Sequence, residues 1–138
     1  MSLIYGITGT TNMTTLSQMS FELSGYTLAA LVLIVAGLGF KMALVPFHMW
    51  APDTYQGAPT VVSAMLAAGS KKMGFVAAFK LIVLALIALR TEWYMVFAVI
   101  AVITMTYGNL VALTQRSLKR MLAYSSIAQA GYITMAFV

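Results

Sequence analysis

Residues 37–59 read GLGFKMALVPFHMWAPDTYQGAP. Up to Val45 they complete an apolar run that starts at Tyr26 and has the roughly 20 residues that a helix needs to cross a bilayer. Pro46 interrupts this run, because proline lacks a backbone donor and clashes with the preceding helical turn. Such a break persists in a membrane only where protein or a water-filled cavity satisfies the freed backbone groups. The stretch therefore predicts a discontinuous membrane helix.

Three more apolar runs follow this helix. The first has 30 residues and would be about 45 Å long as a helix, so it must tilt, bend or protrude from the bilayer. The runs cover residues 60–89, 93–113 and 121–138. The polar segments between them predict a turn at residues 54–59, a loop at residues 90–92, and a loop or helix start at residues 115–120.

These runs predict an all-α fold: a polytopic transmembrane helix bundle of about four spans with one discontinuous helix. Residues 1–25 are more polar and are expected to form a loop or the end of a preceding helix, so that the transmembrane segment covers residues 26–138. The composition agrees, since 62% of the 138 residues are hydrophobic and 8% are charged, against about 45–50% and about 25% in soluble domains. We expect an integral protein of a bacterial or archaeal inner membrane or of an organelle membrane, with the lipid bilayer as a partner.

The composition also excludes several kinds of site. Without cysteine the chain holds no disulfide, no iron–sulfur cluster and no cysteine-based zinc site. His48 is the only histidine, which excludes a haem with two histidine ligands. The eight basic residues are scattered through apolar runs, so the net charge of +5 makes no patch for nucleic acid. We expect no cofactor, metal or redox centre in this chain.

The loop at residues 115–120 decides the predicted orientation. It carries three positive charges, Arg116, Lys119 and Arg120, and the excess of positive charge in cytoplasmic loops places it in the cytoplasm. The loop at residues 90–92 carries one charge of each sign and is then expected on the outer side.

Lys71 is the first candidate for chemistry, because it lies about 11 residues into the 30-residue run. A lysine near the middle of a bilayer costs at least about 2.5–3.5 kcal/mol, and such a residue is a functional candidate by default. One alternative is an ion pair with a carboxylate on another helix. A second is that the side chain reaches the headgroups, which is difficult from that depth. The adjacent Lys72 points about 100° away on the same helix and is the weaker candidate.

Three further residues have roles that their types alone leave open. Lys41 either anchors a helix end by reaching towards the headgroups or belongs to an ion site at the helix break. Lys80, nine residues after Lys71, is either a relay member or an anchor. His48 can shuttle protons near neutral pH, or it can be a hydrogen-bonded structural residue.

Four lysines in or near apolar spans indicate the movement of protons or cations. A relay group must change its charge at modest cost, and burial or a neighbouring positive charge makes the neutral form of an amine more accessible. Arginine does not readily lose its proton and is a poor substitute. The three acidic residues are expected outside the spans, Asp53 as a cap or turn former and Glu22 and Glu92 in loops.

At this point the sequence resembles a known family. Residues 37–59 closely resemble the N-type antiporter-like membrane subunit of respiratory complex I, which plastids and cyanobacteria also carry. Two more matches support the resemblance, one from Val62-Ser63 through Ser70-Lys71 and one from Gly108-Asn109-Leu110 through Tyr124-Ser125-Ser126. Together the matches cover most of residues 37–138.

The resemblance implies a subunit of a redox-driven proton pump, an enzyme complex of the NADH-quinone oxidoreductase type. In this family the lysine before the helix break is a central relay residue and matches Lys41, and its partner in the next helix matches Lys71. Lys80 stands where relatives often carry arginine, and Gln129 where many bacterial relatives carry histidine. With His48 nearby, the predicted relay consists of Lys41, Lys71, His48 and Lys80, while quinone and redox centres belong to other subunits of the complex.

The resemblance also implies that parts of the fold lie elsewhere. Members of the family have about 14 spans in two inverted repeats of about five helices with flanking helices, and this chain would cover the end of the first repeat and the start of the second. The glutamate that pairs with Lys41 belongs upstream, and Glu22 does not match it. We therefore expect a fragment or the product of a split gene, with other membrane subunits as partners.

Two other functions stay open at this stage. The first is a subunit of a multisubunit cation/proton antiporter, which shares the fold and has no redox partner. The second is a purely structural membrane scaffold, in which the lysines would tolerate replacement by leucine or methionine. The electron donor is also open among NADH, reduced ferredoxin and a deazaflavin cofactor.

Overall fold

The computed structural model describes residues 2–19 and 24–138 of the chain. Helices make up all the regular secondary structure of this part, which confirms the predicted all-α class. Glu22, which we expected in a loop, lies outside the described residues.

Eight α-helices follow one another along the described part of the chain. They are α1 (Ser2–Thr8), α2 (Met13–Gln18), α3 (Gly25–Met42), α4 (Trp50–Gly57), α5 (Thr60–Met65), α6 (Lys71–Ala78), α7 (Arg90–Leu113) and α8 (Leu118–Thr134). π-Helical segments at Leu66–Ser70 and Phe79–Ala85 flank α6, and short 3-10 helices occur at Ile87–Leu89 and Met135–Phe137.

The helix break occurs where the sequence predicted one, but it starts three residues before Pro46. Helix α3 ends at Met42, and Ala43 takes the left-handed conformation with φ 56°. The backbone N–H of Ala43 donates to Phe40, and that of Leu44 donates to Gly39, which is the Schellman arrangement at a helix end. A proline shortly after such an end is common, because it cannot continue the helix.

The turn that we predicted at residues 54–59 is wrong, since α4 continues as a helix to Gly57. Pro52 is compatible with this helix because it lies in the first turn, where a backbone N–H has no partner inside the helix. The chain leaves the helix only at Ala58, directly before Pro59.

Side chains from α7 and α4 satisfy backbone groups at the break. The backbone N–H of Val45 donates to the hydroxyl of Thr104 on α7 at 3.1 Å. The indole N–H of Trp50, at the start of α4, donates to the carbonyl of Phe40 near the end of α3 at 2.9 Å. These contacts meet the requirement that a broken membrane helix has partners for its backbone.

The loop that we predicted at residues 90–92 is helical, so this expectation is also wrong. Helix α7 starts at Arg90 and contains Glu92 in its first turn. A carboxylate is favourable there, because the start of a helix carries partial positive charge. The 3-10 helix Ile87–Leu89 directly precedes α7.

Helices α7 and α8 pack against each other through small residues. A Cβ atom on Gly108 of α7 would lie 2.8 Å from the backbone nitrogen of Ala128 on α8. On the other side of the same interface, a Cβ atom on Gly131 would lie 2.9 Å from the backbone nitrogen of Met105. Small residues allow this close approach of two helices, which is typical of packing in lipid.

Two helices of the described part are long and apolar enough to cross a membrane, judged by length and composition alone. They are Gly25–Met42 and Arg90–Leu113. The other apolar regions are built differently: residues 60–85 alternate between α- and π-helix, and α8 has 17 residues.

Candidate functional site

Lys71 is the most deeply buried cation of the described part, with 4% of its surface exposed. It is the first residue of α6 and directly follows the π-helical segment Leu66–Ser70. π-Helical turns inside longer helices are often found at functional sites. The adjacent Lys72 is exposed. The structure therefore buries one of two neighbouring lysines and leaves the other at the surface.

Ser126 on α8 is the hydrogen-bond partner of Lys71. The Nζ atom of Lys71 donates to the Ser126 hydroxyl at 2.8 Å. That hydroxyl in turn donates to the backbone carbonyl of Ala123 at 2.8 Å. Among the described residues, no carboxylate lies within ion-pair distance of Lys71. The ion pair found there joins Arg120 and Asp53. The hydrogen-bond partner of the buried amine is thus a neutral hydroxyl group.

Tyr55 completes the surroundings of Lys71 from a third helix, α4. The Nζ atom lies 5.4 Å from the centre of the Tyr55 ring, within the range of a cation–π contact. The hydroxyl of Tyr55 is buried and faces Ser126, but outside hydrogen-bonding geometry. Three helices that are distant in sequence therefore meet at one amine.

A partly open cavity of about 210 Å³ lies beside this group. About 10–15 Å³ of space for the centre of a water molecule is enough to hold one, so the cavity has room for several. Lys71, Lys72, Ser126 and Gln129 provide its polar lining. Gln129, whose role the resemblance had left in doubt, therefore lies close to the predicted relay.

Lys41 lies near the end of α3 and is exposed in the described structure. Its aliphatic stem packs on α6, where a Cβ atom on Gly74 would lie 3.1 Å from the Lys41 Cγ atom. Gly74 follows Lys71 by three positions, which is nearly one helical turn. The structure thus brings Lys41 to the helix that carries Lys71.

His48 lies in the break between α3 and α4 and is 4% exposed. Its ring packs edge-on against Tyr107 of α7, with 4.8 Å between the ring centres. Neither ring nitrogen has a hydrogen-bond partner within the part of the chain that the structure describes. His48 is therefore buried close to the break but makes no hydrogen bond to Lys71 there.

Lys80 is exposed, in the second π-helical segment. It borders an apolar cavity of about 380 Å³ that Phe75 and Phe137 also line. The structure therefore keeps Lys80 apart from the hydroxyl and ring that surround Lys71.

Charged and amide groups join α4 to the start of α8. Arg120 forms an ion pair with Asp53 at 3.1 Å and donates a hydrogen bond to the side-chain oxygen of Gln56 at 3.1 Å. Lys119 donates to the backbone carbonyl of Ala58 at 3.1 Å. Asp53, which we predicted as a cap or turn former, thus lies in the first turn of α4 and pairs with another helix.

Comparison with known proteins shows the family of the chain. The family model described as NADH:quinone oxidoreductase/Mrp antiporter, transmembrane, matches residues 1–138. The chain belongs to this transmembrane family. The resemblance that the motifs indicated is thereby confirmed.

Individual members of the NADH:quinone oxidoreductase/Mrp antiporter family are similar in sequence and in backbone. Subunit N of the F(420)H(2) dehydrogenase of Methanosarcina mazei is 63% identical over 99% of this chain and 28% of its own length. A chain of respiratory complex I from Thermus thermophilus is 40% identical with a TM-score of 0.81, over 99% of this chain and 29% of its own. A chain of the Mrp complex from Dietzia sp. DQ12-45-1b is 28% identical with a TM-score of 0.87, over 99% and 25%.

The chain spans less than a third of the length of each of these family members.

Within the described residues, no three histidine, cysteine, aspartate or glutamate side chains cluster in a way that could hold a metal ion.

Two residues of the Lys71 surroundings were not predicted from the sequence, Ser126 and Tyr55. A signal for Ser126 exists, because a hydroxyl residue in an uncharged apolar run needs a hydrogen-bond partner. The sequence alone does not say whether Ser125 or Ser126 faces Lys71, since adjacent helical residues point about 100° apart.

Proposed function

We propose that this chain is part of a membrane subunit of a redox-driven proton pump of the NADH-quinone oxidoreductase type, and that it carries part of a lysine-based proton path. One observation carries the proposal: Lys71 is 4% exposed and its hydrogen-bond partner is a neutral hydroxyl at 2.8 Å. A lysine in apolar surroundings is costly, and such a residue in a membrane protein is a functional candidate by default.

The surroundings of Lys71 suit a group that gains and loses a proton. A carboxylate in direct contact would hold the amine in its charged form. A hydroxyl supports both forms, because it can accept a hydrogen bond from an ammonium or donate one to a neutral amine. The adjacent cavity of about 210 Å³ has room for water that would exchange the proton.

The proposed path contains the four residues that the sequence suggested. Lys71 is its buried centre, and Lys41 is a neighbouring member across Gly74. His48 is buried at the helix break and would exchange protons through water. Lys80 lies nearer the C-terminal end of the helical region 60–85 and would act nearer the membrane surface.

In the membrane we propose about four spans, which include α3 and α7, and a position at the junction of two inverted repeats. The loop at residues 115–120 would face the cytoplasm, since Arg116, Lys119 and Arg120 give it a strong positive charge. The transmembrane character of the family supports this location.

The proposed partners are other membrane subunits of a respiratory complex, with the redox centres and the quinone site outside this chain. The 63% identity with subunit N of an F(420)H(2) dehydrogenase favours F(420)H(2) as the electron donor over NADH. The 40% identity with a chain of respiratory complex I supports the wider redox-driven class.

The alternative is a subunit of a multisubunit cation/proton antiporter that works without electron transfer. The backbone favours it, because the TM-score with the Mrp chain is 0.87, against 0.81 for the complex I chain. The sequence identities favour the redox pump, at 40% against 28%. One backbone fold can serve several functions, and the side chains decide among them. Sequence identity compares side chains, so we keep the redox pump as the proposal.

The test uses inverted membrane vesicles that contain the full-length protein in its complex. Electron transfer from F(420)H(2) or from NADH drives proton uptake, which a pH-sensitive dye records relative to the electron-transfer rate. We expect Lys71→Ala to lower proton uptake about tenfold or more, because a positioned proton-transfer group contributes about 100-fold or more to a rate. Arg90→Ala is the control, since Arg90 is an exposed cation that does not line the cavity beside Lys71.

Normal uptake by the Lys71→Ala variant, at a normal level of assembled complex, would overturn the lysine path. Uptake that a sodium gradient drives and that neither electron donor supports would instead establish the antiporter.

A further inference from the structure

We propose that Ser126 is a further catalytic residue of the proton path, as the group that directly exchanges hydrogen bonds with Lys71. The inference rests on the proposed function of Lys71 and adds a residue from α8, a helix that contributes none of the four relay residues. Ser126 touches the reacting atom itself, because its hydroxyl lies 2.8 Å from the Lys71 Nζ atom.

The hydrogen bonds of Ser126 in the structure are those that a charged Lys71 requires. An ammonium group has three donors and no acceptor, so Ser126 must accept from it. The hydroxyl proton then has to point elsewhere, and it points to the Ala123 carbonyl at 2.8 Å. This carbonyl lies three residues back on the same helix, so the hydroxyl has a fixed resting partner.

When Lys71 loses a proton, Ser126 must donate a hydrogen bond to it instead of accepting one. The ammonium gives one proton to a water molecule in the adjacent cavity and becomes a neutral amine with a lone pair. The serine hydroxyl keeps its own proton and turns it from the Ala123 carbonyl to that lone pair, which a hydroxyl can do because it both donates and accepts. No bond to carbon forms or breaks, and Ser126 is not ionised at any stage.

The location of the pair makes this exchange possible. Lys71 and Ser126 both line the cavity of about 210 Å³, together with Gln129 and Lys72. Ser126 is partly buried, whereas the adjacent Ser125 is exposed. The two serines therefore have the same chemistry but only one of them reaches the lysine, which provides a matched control.

The experiment compares Ser126→Ala, Ser126→Thr and Ser125→Ala in the full-length protein in its membrane complex, with Lys71→Ala as the reference. Proton uptake in inverted vesicles is measured relative to electron transfer, and the amount of assembled complex is measured in the same membranes. We expect about a tenfold loss of uptake in Ser126→Ala, as for a lost hydrogen bond to a charged group. Ser126→Thr restores uptake because it keeps the hydroxyl, and Ser125→Ala has no effect.

The outcomes separate this inference from the proposed function. If Lys71→Ala abolishes uptake while Ser126→Ala pumps normally, the role of Ser126 is wrong and the lysine path stands. If Lys71→Ala itself pumps normally, the proposed function fails. If Ser126→Thr is as defective as Ser126→Ala at equal assembly, the effect comes from packing and not from the hydroxyl, and the inference is overturned.

Discussion

Gly108 of α7 lies so close to Ala128 of α8 that a Cβ atom on the glycine would be 2.8 Å from the alanine backbone nitrogen. The obstacle is backbone and cannot rotate away, so any side chain at this position must push the two helices apart. The contact fixes the distance between the helix that holds the break through Thr104 and the helix that carries Ser126.

Gly108→Ala is expected to lower the free energy of unfolding by about 1–3 kcal/mol, the usual cost of overpacking a well-packed interface. Thermal denaturation of the full-length protein in detergent measures the change. Gly37→Ala on α3 is the control, because no heavy atom lies within 4 Å of the position where its Cβ would be, and alanine favours a helix over glycine by up to about 1 kcal/mol. Equal stability of the two variants would show that the α7–α8 contact is looser than this distance implies.

Gly74 of α6 offers a test of the position of Lys41. A Cβ atom there would lie 3.1 Å from the Lys41 Cγ atom and 3.2 Å from the Met42 Cγ atom. Both neighbours are flexible side chains, so Gly74→Ala should change stability by less than about 1 kcal/mol. The displaced Lys41 side chain should lower proton uptake about two- to tenfold. A misplacement of about 1 Å can lower a rate about 100-fold, and the displacement here is a few tenths of an ångström.

Proton uptake in inverted vesicles measures this effect. Gly69→Ala is the control, because a Cβ atom on Gly69 would have no heavy atom within 4 Å. Unchanged uptake in Gly74→Ala would mean that the stem of Lys41 does not need its present position.

Thr104 supports the helix break, so its hydroxyl should contribute more to the free energy of unfolding than the hydroxyl of another buried threonine. Its hydroxyl donates to the Ile100 carbonyl at 2.6 Å and accepts from the Val45 backbone at 3.1 Å. Thr104→Val has nearly the same shape but leaves the Val45 N–H without a partner, which should cost about 1–3 kcal/mol of stability.

Thr134→Val provides the matched control for this prediction. Thr134 is also fully buried, and its hydroxyl donates to the Ala130 carbonyl on its own helix at 2.7 Å. Within the described residues, this hydroxyl accepts no hydrogen bond from the backbone of another element. Its replacement should change the melting temperature less than that of Thr104. A larger effect at Thr134 would contradict the proposed support of the break.

The ion pair between Asp53 and Arg120 should contribute little despite its 3.1 Å distance. The Asp53 side chain is 74% exposed, and exposed pairs contribute about 0.2–1 kcal/mol. A double-mutant cycle of Asp53→Asn and Arg120→Gln should give a coupling energy within that range, and it should decrease as salt is added. A coupling energy well above it would mean that the pair is shielded from water in the assembled membrane protein.

The sequence predicted the helical class and the break because both depend on local properties of the chain. A long apolar run and a proline at position 46 are visible without knowledge of the partners. The start of the break at Ala43 was not predictable in this way, since alanine in the left-handed conformation is uncommon and contacts from Trp50 and Thr104 support it. The helical form of residues 54–57 was missed because proline suggested a turn, although it fits a first helical turn.

The burial of Lys71 and the exposure of Lys72 were decided by the tertiary structure. Sequence reasoning favoured Lys71 through its depth in the apolar run and through the resemblance, and the structure places it against Ser126 and Tyr55. The role of the four relay residues stays a prediction until the proposed variants are measured.

The sequence by itself determined that this chain is helical, apolar and interrupted, and that a few lysines lie where charge is costly. These properties follow from composition and from the chemistry of single residues. Only the tertiary structure decided which side chains meet, because each residue rotates a helix face by about 100° and π-helical segments such as Leu66–Ser70 shift that rotation. A regular count of 3.6 residues per turn cannot carry a prediction across such a segment, so the contact of Lys71 with Ser126 became visible only when the helices were packed together.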